Sequence, residues 1–313
     1  MSPTASTDRE QSTSVAADTS ARGVAIDEDE EYIPPRANYP LVRVIEQGRY
    51  ETMAMLRNGE QLMLNIIFPV MALLGLRFTG LIDDYAHSVG VSRMDAAVPG
   101  VLALCVISTA LSGQGIATGF DRRYGVLRFL ATTPLGRNGL ILGKCIAVVV
   151  VLIIQFVLVG VVGYGLGWRP DAIALSRAFL TLLLGAAAFT ALGLLIAGTV
   201  RAEATLAIVN IAWVVLAGAG GVLFPLSSFP DWYGAIVSWF PSAALGEALR
   251  GNFIHHQWMA DPHWVLTVWT VILGLIASRK SKWSDLPDRP PSTCASWLVL
   301  HDRYFTRCPA AFE

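Results

Sequence analysis

The chain has 313 residues, of which 54% are hydrophobic and only 15% charged, whereas soluble domains carry about a quarter charged residues, so water is not its main solvent. A net charge of -1, with no basic domain interleaved with aromatics, argues against nucleic acid as a partner. Cys105, Cys145, Cys294 and Cys308 are scattered without CxxC or His-rich spacing, which gives neither a disulfide framework nor a zinc site.

Residues 1–38 read as a disordered, acidic cytoplasmic tail. The first 31 hold eight acids against two arginines and few large apolar side chains, too little to bury against the entropy of ordering. No basic segment followed by an apolar one marks a cleavable signal peptide. Residues 39–60, "YPLVRVIEQGRYETMAMLRNGE", place Val42, Ile45, Met53 and Leu56 near one helical face, with Arg43, Glu46, Gln47 and Arg57 elsewhere. The pattern predicts an amphipathic helix lying along the cytoplasmic interface.

Residues 61–283 hold six stretches close to the roughly 20 apolar residues that a bilayer core about 30 Å thick requires of a helix. They are 62–81, 97–118, 145–167, 178–200, 204–224 and 263–278, the last anchored by Trp264 and Trp269. Lysine and arginine near span ends set orientation. With the amino terminus inside, that side holds twelve bases: Arg43, Arg49, Arg57, Arg122, Arg123, Arg128, Arg137, Lys144, Arg201, Arg279, Lys280 and Lys282. The other side holds Arg93, Arg169, Arg177 and Arg250, with Arg77 in the outer part of the first span. Both termini are therefore expected in the cytoplasm.

Five of the twelve bases crowd into "GFDRRYGVLRFLATTPLGRNGLILGK", residues 119–144. Within it Phe120, Tyr124, Leu127 and Ala131 recur at helical spacing, Asp121 suits the amino end of a helix dipole, and Pro134 stops the helix. The segment predicts a helix over 121–131, either resting on anionic lipid or docking a partner. After the fifth span, 225–262 is punctuated by Pro225, Pro230, Pro241 and Pro262 into two short apolar helices, 231–240 and 242–254. Broken helices at membrane depth need cover from protein or a water-filled cavity, so this hairpin is expected partly inside the outer leaflet.

Polar residues inside spans are costly and call for a reason. Arg77 either lines a pathway or snorkels. Gln155 and Asn210 either bond across helices or face a substrate route. Glu247 and Arg250, three apart on the second outer helix, form an ion pair or a gate. Ser108, Ser112, Gly115 and Gly119 share one face of the second span and invite close helix approach. Catalytic motifs are missing: "NGLILGKC" lacks the first Gly and closing Ser/Thr of a phosphate loop, and His255 and His256 lack an HExxH frame. No nucleophile, base and oxyanion set can be assembled, which argues against an enzyme.

"DRRYGVLRFLATTPLGRNGLILGK" after a second span, with "FPLSSFPDWYGAIVSWFPSAALGEALRG" after a fifth, resembles the membrane subunits of type 2 ATP-binding cassette (ABC) exporters, most closely daunorubicin-resistance-like permeases. The resemblance covers residues 39–283 and implies an all-α integral membrane fold: six transmembrane helices, an amphipathic connecting helix, a cytoplasmic coupling helix and an outer re-entrant helical hairpin. It implies a homodimer or paired permease in the plasma membrane, joined to a separate ATPase subunit that binds ATP and Mg, with no cofactor on this chain. Carried over to this sequence, the ATPase-coupling residues are Asp121, Arg122, Arg123, Tyr124, Leu127, Arg128, Leu130 and Pro134. Arg77, Gln155, Asn210, Glu247 and Arg250 are the candidates for a substrate path or gate. The implied function is export of a hydrophobic or amphipathic substrate. The alternative is a membrane scaffold whose cytoplasmic loop binds a non-ATPase partner. Residues 284–313 extend beyond the resemblance.

Overall fold

The computed structural model describes residues 39–280, and among them every regular element is a helix. The expected tail over 1–38 and the extension over 284–313, with Cys294 and Cys308, lie outside the described residues. Helix α1, Pro40–Arg57, opens with proline at a position where its missing N–H costs nothing. It ends at Arg57 rather than at 60 because Asn58 becomes the cap of the next helix, its side-chain oxygen accepting the Gln61 N–H at 3.2 Å. Helix α2, Gly59–Phe78, carries Pro69 inside it. The short helix α3, Asp83–Val89, turns 73° away from the latter part of α2.

Helix α4 runs Arg93–Arg123. Ser92 caps it by accepting the Asp95 N–H and donating to the Asp95 carboxylate at 2.6 Å. Its middle, Ile107–Gly113, widens into a π-helical turn. Next come α5, Val126–Ala131; α6, Gly136–Gly165; α7, Ala172–Thr199; and α8, Ala202–Gly218. A single 3₁₀ turn, Leu226–Ser228, precedes α9, Asp231–Val237; α10, Pro241–Phe253; and α11, Ala260–Lys280.

The six expected apolar stretches fall on α2, α4, α6, α7, α8 and α11. Helices α4, α6, α7 and α11 are long and apolar enough to cross a membrane, α2 joins them if it counts with α3 as one bent span, and α8 is a shorter apolar helix. The bounds differ where backbone chemistry intervenes. The fifth stretch stops at Gly218 instead of 224, because Gly220 and Gly221 come next and Gly221 sits at φ +74°, where side chains are disfavoured. The third begins at Gly136, so much of the basic stretch 119–144 is helix and not loop.

Helix α4 lies at the centre, buried along nearly its whole length, with α2, α6, α7, α8 and α10 around it. Its expected small-residue face is divided by the π turn. Ser108 faces α2 and donates to the Asn65 side chain at 2.9 Å, whereas Gly115 and Gly119 face Gly193 of α7 and Thr205 of α8. The extra residue of a π turn rotates the rest of the helix about its axis, so a pattern read at 3.6 residues per turn loses register there. A Cβ on Gly193 would stand 2.9 Å from the Leu111 carbonyl oxygen and 3.1 Å from that of Ala110, both backbone atoms of the π turn. Gly193→Leu should therefore lose about 1–3 kcal/mol through overpacking, read as a lowered melting temperature in detergent; an unchanged melt would refute the tight crossing.

Candidate functional site

One end of the bundle gathers α1, the end of α4, α5 and the start of α6. The expected single helix over 121–131 does not form. Helix α4 continues to Arg123, Tyr124 ends it, and Gly125 at φ +76° donates its N–H to the Arg122 carbonyl before α5 begins. A left-handed residue just past a helix end favours glycine, and α5 starts afresh on a new axis. The stripe Phe120, Tyr124, Leu127, Ala131 is thereby split.

The split sorts the eight expected coupling residues by direction. Tyr124 is 72% exposed, Arg123 and Arg128 are exposed, and the carbonyl of exposed Pro134 accepts from Arg43 of α1. Leu127 is buried and Leu130 half-buried, so they hold α5 onto the bundle. Arg122 is buried and donates to the Val200 carbonyl at the α7–α8 junction, while Arg123 pairs with Glu203 of α8. Phe129, which the helical stripe passes over, is 71% exposed beside Arg128. Arg123, Tyr124, Arg128 and Phe129 thus form the outward surface of the segment, two cations and two rings, the residue types favoured at the centres of protein interfaces.

Behind that surface lies a buried charge cluster that sequence spacing does not reveal. Lys144, expected among the loop bases, is buried in the first turns of α6. Its Nζ stands 3.0 Å from both carboxylate oxygens of Glu51 on α1 and 3.0 Å from Asp121 Oδ2 on α4. Gln47 Nε2 donates to Glu51 Oε1 at 3.0 Å. Beside it α1 and α6 cross closely at two glycines: a Cβ on Gly143 would meet Gln47 Cγ at 2.6 Å, and one on Gly48 would meet Ile146 Cγ2 at 2.8 Å. Helix α1 therefore docks through Gln47, Gly48, Glu51 and Met55 and leaves Leu41, Val42, Ile45 and Met53 exposed. An outward apolar stripe suits a helix lying in a membrane interface.

Of the five residues expected along a path, Glu247 and Arg250 meet each other, and Arg77, Gln155 and Asn210 lie apart from them. Gln155 is buried, donating to the Asn65 carbonyl and accepting from Thr109 Oγ1 at 3.0 Å. Asn210 faces outward on α8 among exposed Leu206, Ile208, Ile211 and Val214. Arg77 is half-buried at the end of α2, its carbonyl accepting from Arg93 at 2.8 Å. Arg250 is fully buried and donates to the carbonyls of Gly221 at 3.1 Å and Val222 at 2.6 Å and to Glu247 at 2.9 Å. Glu247 also accepts the Leu226 N–H at 3.1 Å. The pair consequently fastens the turn after α8 onto α10.

At the opposite end, Asp171 caps α7, accepting the Ala174 N–H, and pairs with His256 at 3.0 Å. That backbone N–H above all, with His256 adding, holds the Asp171 carboxyl below the usual carboxylate range. A depressed carboxylate contributes stability that is complete above its unfolded pKa and is lost as pH falls through the lower folded one. Asp171→Asn keeps a capping oxygen at every pH, so it should flatten the acid limb of the stability profile below about pH 4; an identical acid limb would contradict the cap.

None of the curated proteins matches this chain in sequence. The family model of the ABC-2 type transporter matches residues 48–254, which include the charge cluster, α5 and the short helices α9 and α10. More than half of a 313-residue helical chain with several bilayer-length apolar helices is thus accounted for, and the chain belongs to the ABC-2 type transporter family, as a membrane permease component of an ABC transporter.

Proposed function

We propose that this permease is the membrane half of an ATP-driven exporter of the daunorubicin-resistance-like group, working as a homodimer or paired permease with a separate ATPase subunit. The chain spans the plasma membrane six times with both termini in the cytoplasm. Helix α5 is the coupling helix, α1 is the connecting helix at the inner interface, and α9 with α10 form the re-entrant hairpin at the outer face. The observation that supports this reading best is the outward surface of Arg123 and Tyr124 at the end of α4 with Arg128 and Phe129 on α5, backed by buried Leu127. The exposed tryptophans Trp232, Trp239 and Trp264 at the opposite end suit the outer headgroup level.

The ATPase holds ATP and Mg; this chain holds neither. Nucleotide binding draws the paired ATPases together, each pushes α5, and the two bundles rock so that a hydrophobic or amphipathic substrate leaves between them. The exposed apolar face of α8, with Asn210 in it, turns toward lipid or that seam. Arg128→Glu with Phe129→Asp should leave insertion intact and weaken copurification of the ATPase subunit about 30-fold, the factor for a ~2 kcal/mol hot spot. Transport by the purified chain with no ATPase present would overturn the reading.

A further inference from the structure

Lys144 lies wholly inside the protein with two carboxylates around one ammonium, a pairing that leaves one negative charge in excess. Stability requires only one of those acids, since a single partner already compensates the buried cation. The two acids sit on different elements and differ in setting. The Glu51 side chain is 9% exposed and braced by Gln47, whereas that of Asp121 is 29% exposed. Glu51 belongs to α1, and Asp121 lies at the end of α4, immediately before the coupling segment. A second tie closes the far side of that segment, where Arg43 of α1 donates to the Pro134 carbonyl. Helix α1 is thus fastened to the chain both before and after α5, and it is seated on α6 by the glycine crossing of Gly48 and Gly143.

We propose that Lys144 is a positioning residue that makes α1, the start of α6 and the α5 segment one rigid lever, so that force applied at α5 reaches the interfacial helix as well as the span. The proposal rests on the reading of α5 as the ATPase contact. Glu51 carries the tie to α1 and Asp121 the tie to the end of α4 that leads into α5; Lys144 is the pin between them. Glu51→Gln keeps the Lys144–Asp121 pair, so the buried cation stays compensated while α1 loses its ionic tie to the pin.

The complex of permease and ATPase in lipid nanodiscs provides the test, with spin labels on cysteines placed at exposed sites. The first pair, Tyr50 and Thr132, spans α1 and the coupling segment; the second, Thr132 and Ile236, spans the two ends of the bundle. Trapping with ATP and vanadate should change the second distance and leave the first unchanged. In Glu51→Gln the first distance should broaden, and permease-dependent ATP hydrolysis should fall about tenfold with ATPase copurification retained, a size typical of altered coupling. Glu51→Asp should restore part of the rate. A first distance that shifts on trapping as much as the second in the parent complex would overturn the lever, as would ATP hydrolysis in Glu51→Gln within about twofold of the parent. No change at either pair would instead overturn the coupling role of α5 itself.

Discussion

Lys144→Met should be among the most damaging single substitutions in the chain, lowering stability by about 3–5 kcal/mol, the range for removing one partner of a buried ion pair. The methionine fits the volume, but Glu51 is left buried against α6 with, among the described residues, only Gln47 to donate to it. Asp121 suffers less, because nearly a third of its side chain reaches solvent. The diagnostic result comes from the double substitution Lys144→Met with Glu51→Gln, which removes both the cation and its most buried acid. It should recover most of the loss, since replacing a buried pair by neutral groups is often close to neutral. Melting in detergent, monitored by size-exclusion fluorescence across the four proteins, gives the coupling free energy directly. Additive losses would show that Lys144 and Glu51 are not a pair.

Arg250→Met should cost about 2–4 kcal/mol, because each buried polar group left without a partner costs roughly 1–3 kcal/mol and two carbonyls lose their donor together. Glu247 adds little, since its side chain is 24% exposed and still accepts the Leu226 N–H. The loss should show as easier proteolysis of the segment between α8 and α10, where Gly221 and Val222 are held, before any change elsewhere. Arg250→Lys should rescue little, as a point-like ammonium cannot reproduce the fork that reaches both carbonyls. Full rescue by lysine would place the contribution of Arg250 in its charge alone.

The apolar helices are legible in the sequence because bilayer length and backbone satisfaction impose a long uninterrupted run; each of the six expected stretches falls mainly on a helix, four of them on helices long and apolar enough to cross a membrane, or five if α2 and α3 count as one bent span. The pair of short helices before α11 is legible from Pro230 and Pro241, which mark the starts of α9 and α10 closely. The segment over 121–131 departs from its periodicity at one residue. The stripe through Phe120, Tyr124, Leu127 and Ala131 runs straight across Gly125, although the bases of "RRYG" before a glycine carry the signature of a helix end. Phe129 escapes the same pattern, since its outward direction results from the break. Lys144 reads as a loop base because its partners, Glu51 and Asp121, lie 93 and 23 positions away. No local period links such positions; packing alone brings them together. Arg250 is visible as a pair with Glu247 at i, i+3, but its bonds to the carbonyls of 221 and 222 require the fold.

Site-directed crosslinking reports whether α5 meets an ATPase subunit in the membrane. Phe129→Cys, on α5, and Ile236→Cys, on α9 at the opposite end, both replace side chains exposed in the parent protein. Treated in native membranes with a bifunctional maleimide, the Phe129 variant should give an adduct larger by one ATPase subunit, and the Ile236 variant should give none. An ATPase adduct at Ile236 with none at Phe129, or ATP-independent transport by membranes lacking any such adduct, would contradict the coupling role of α5.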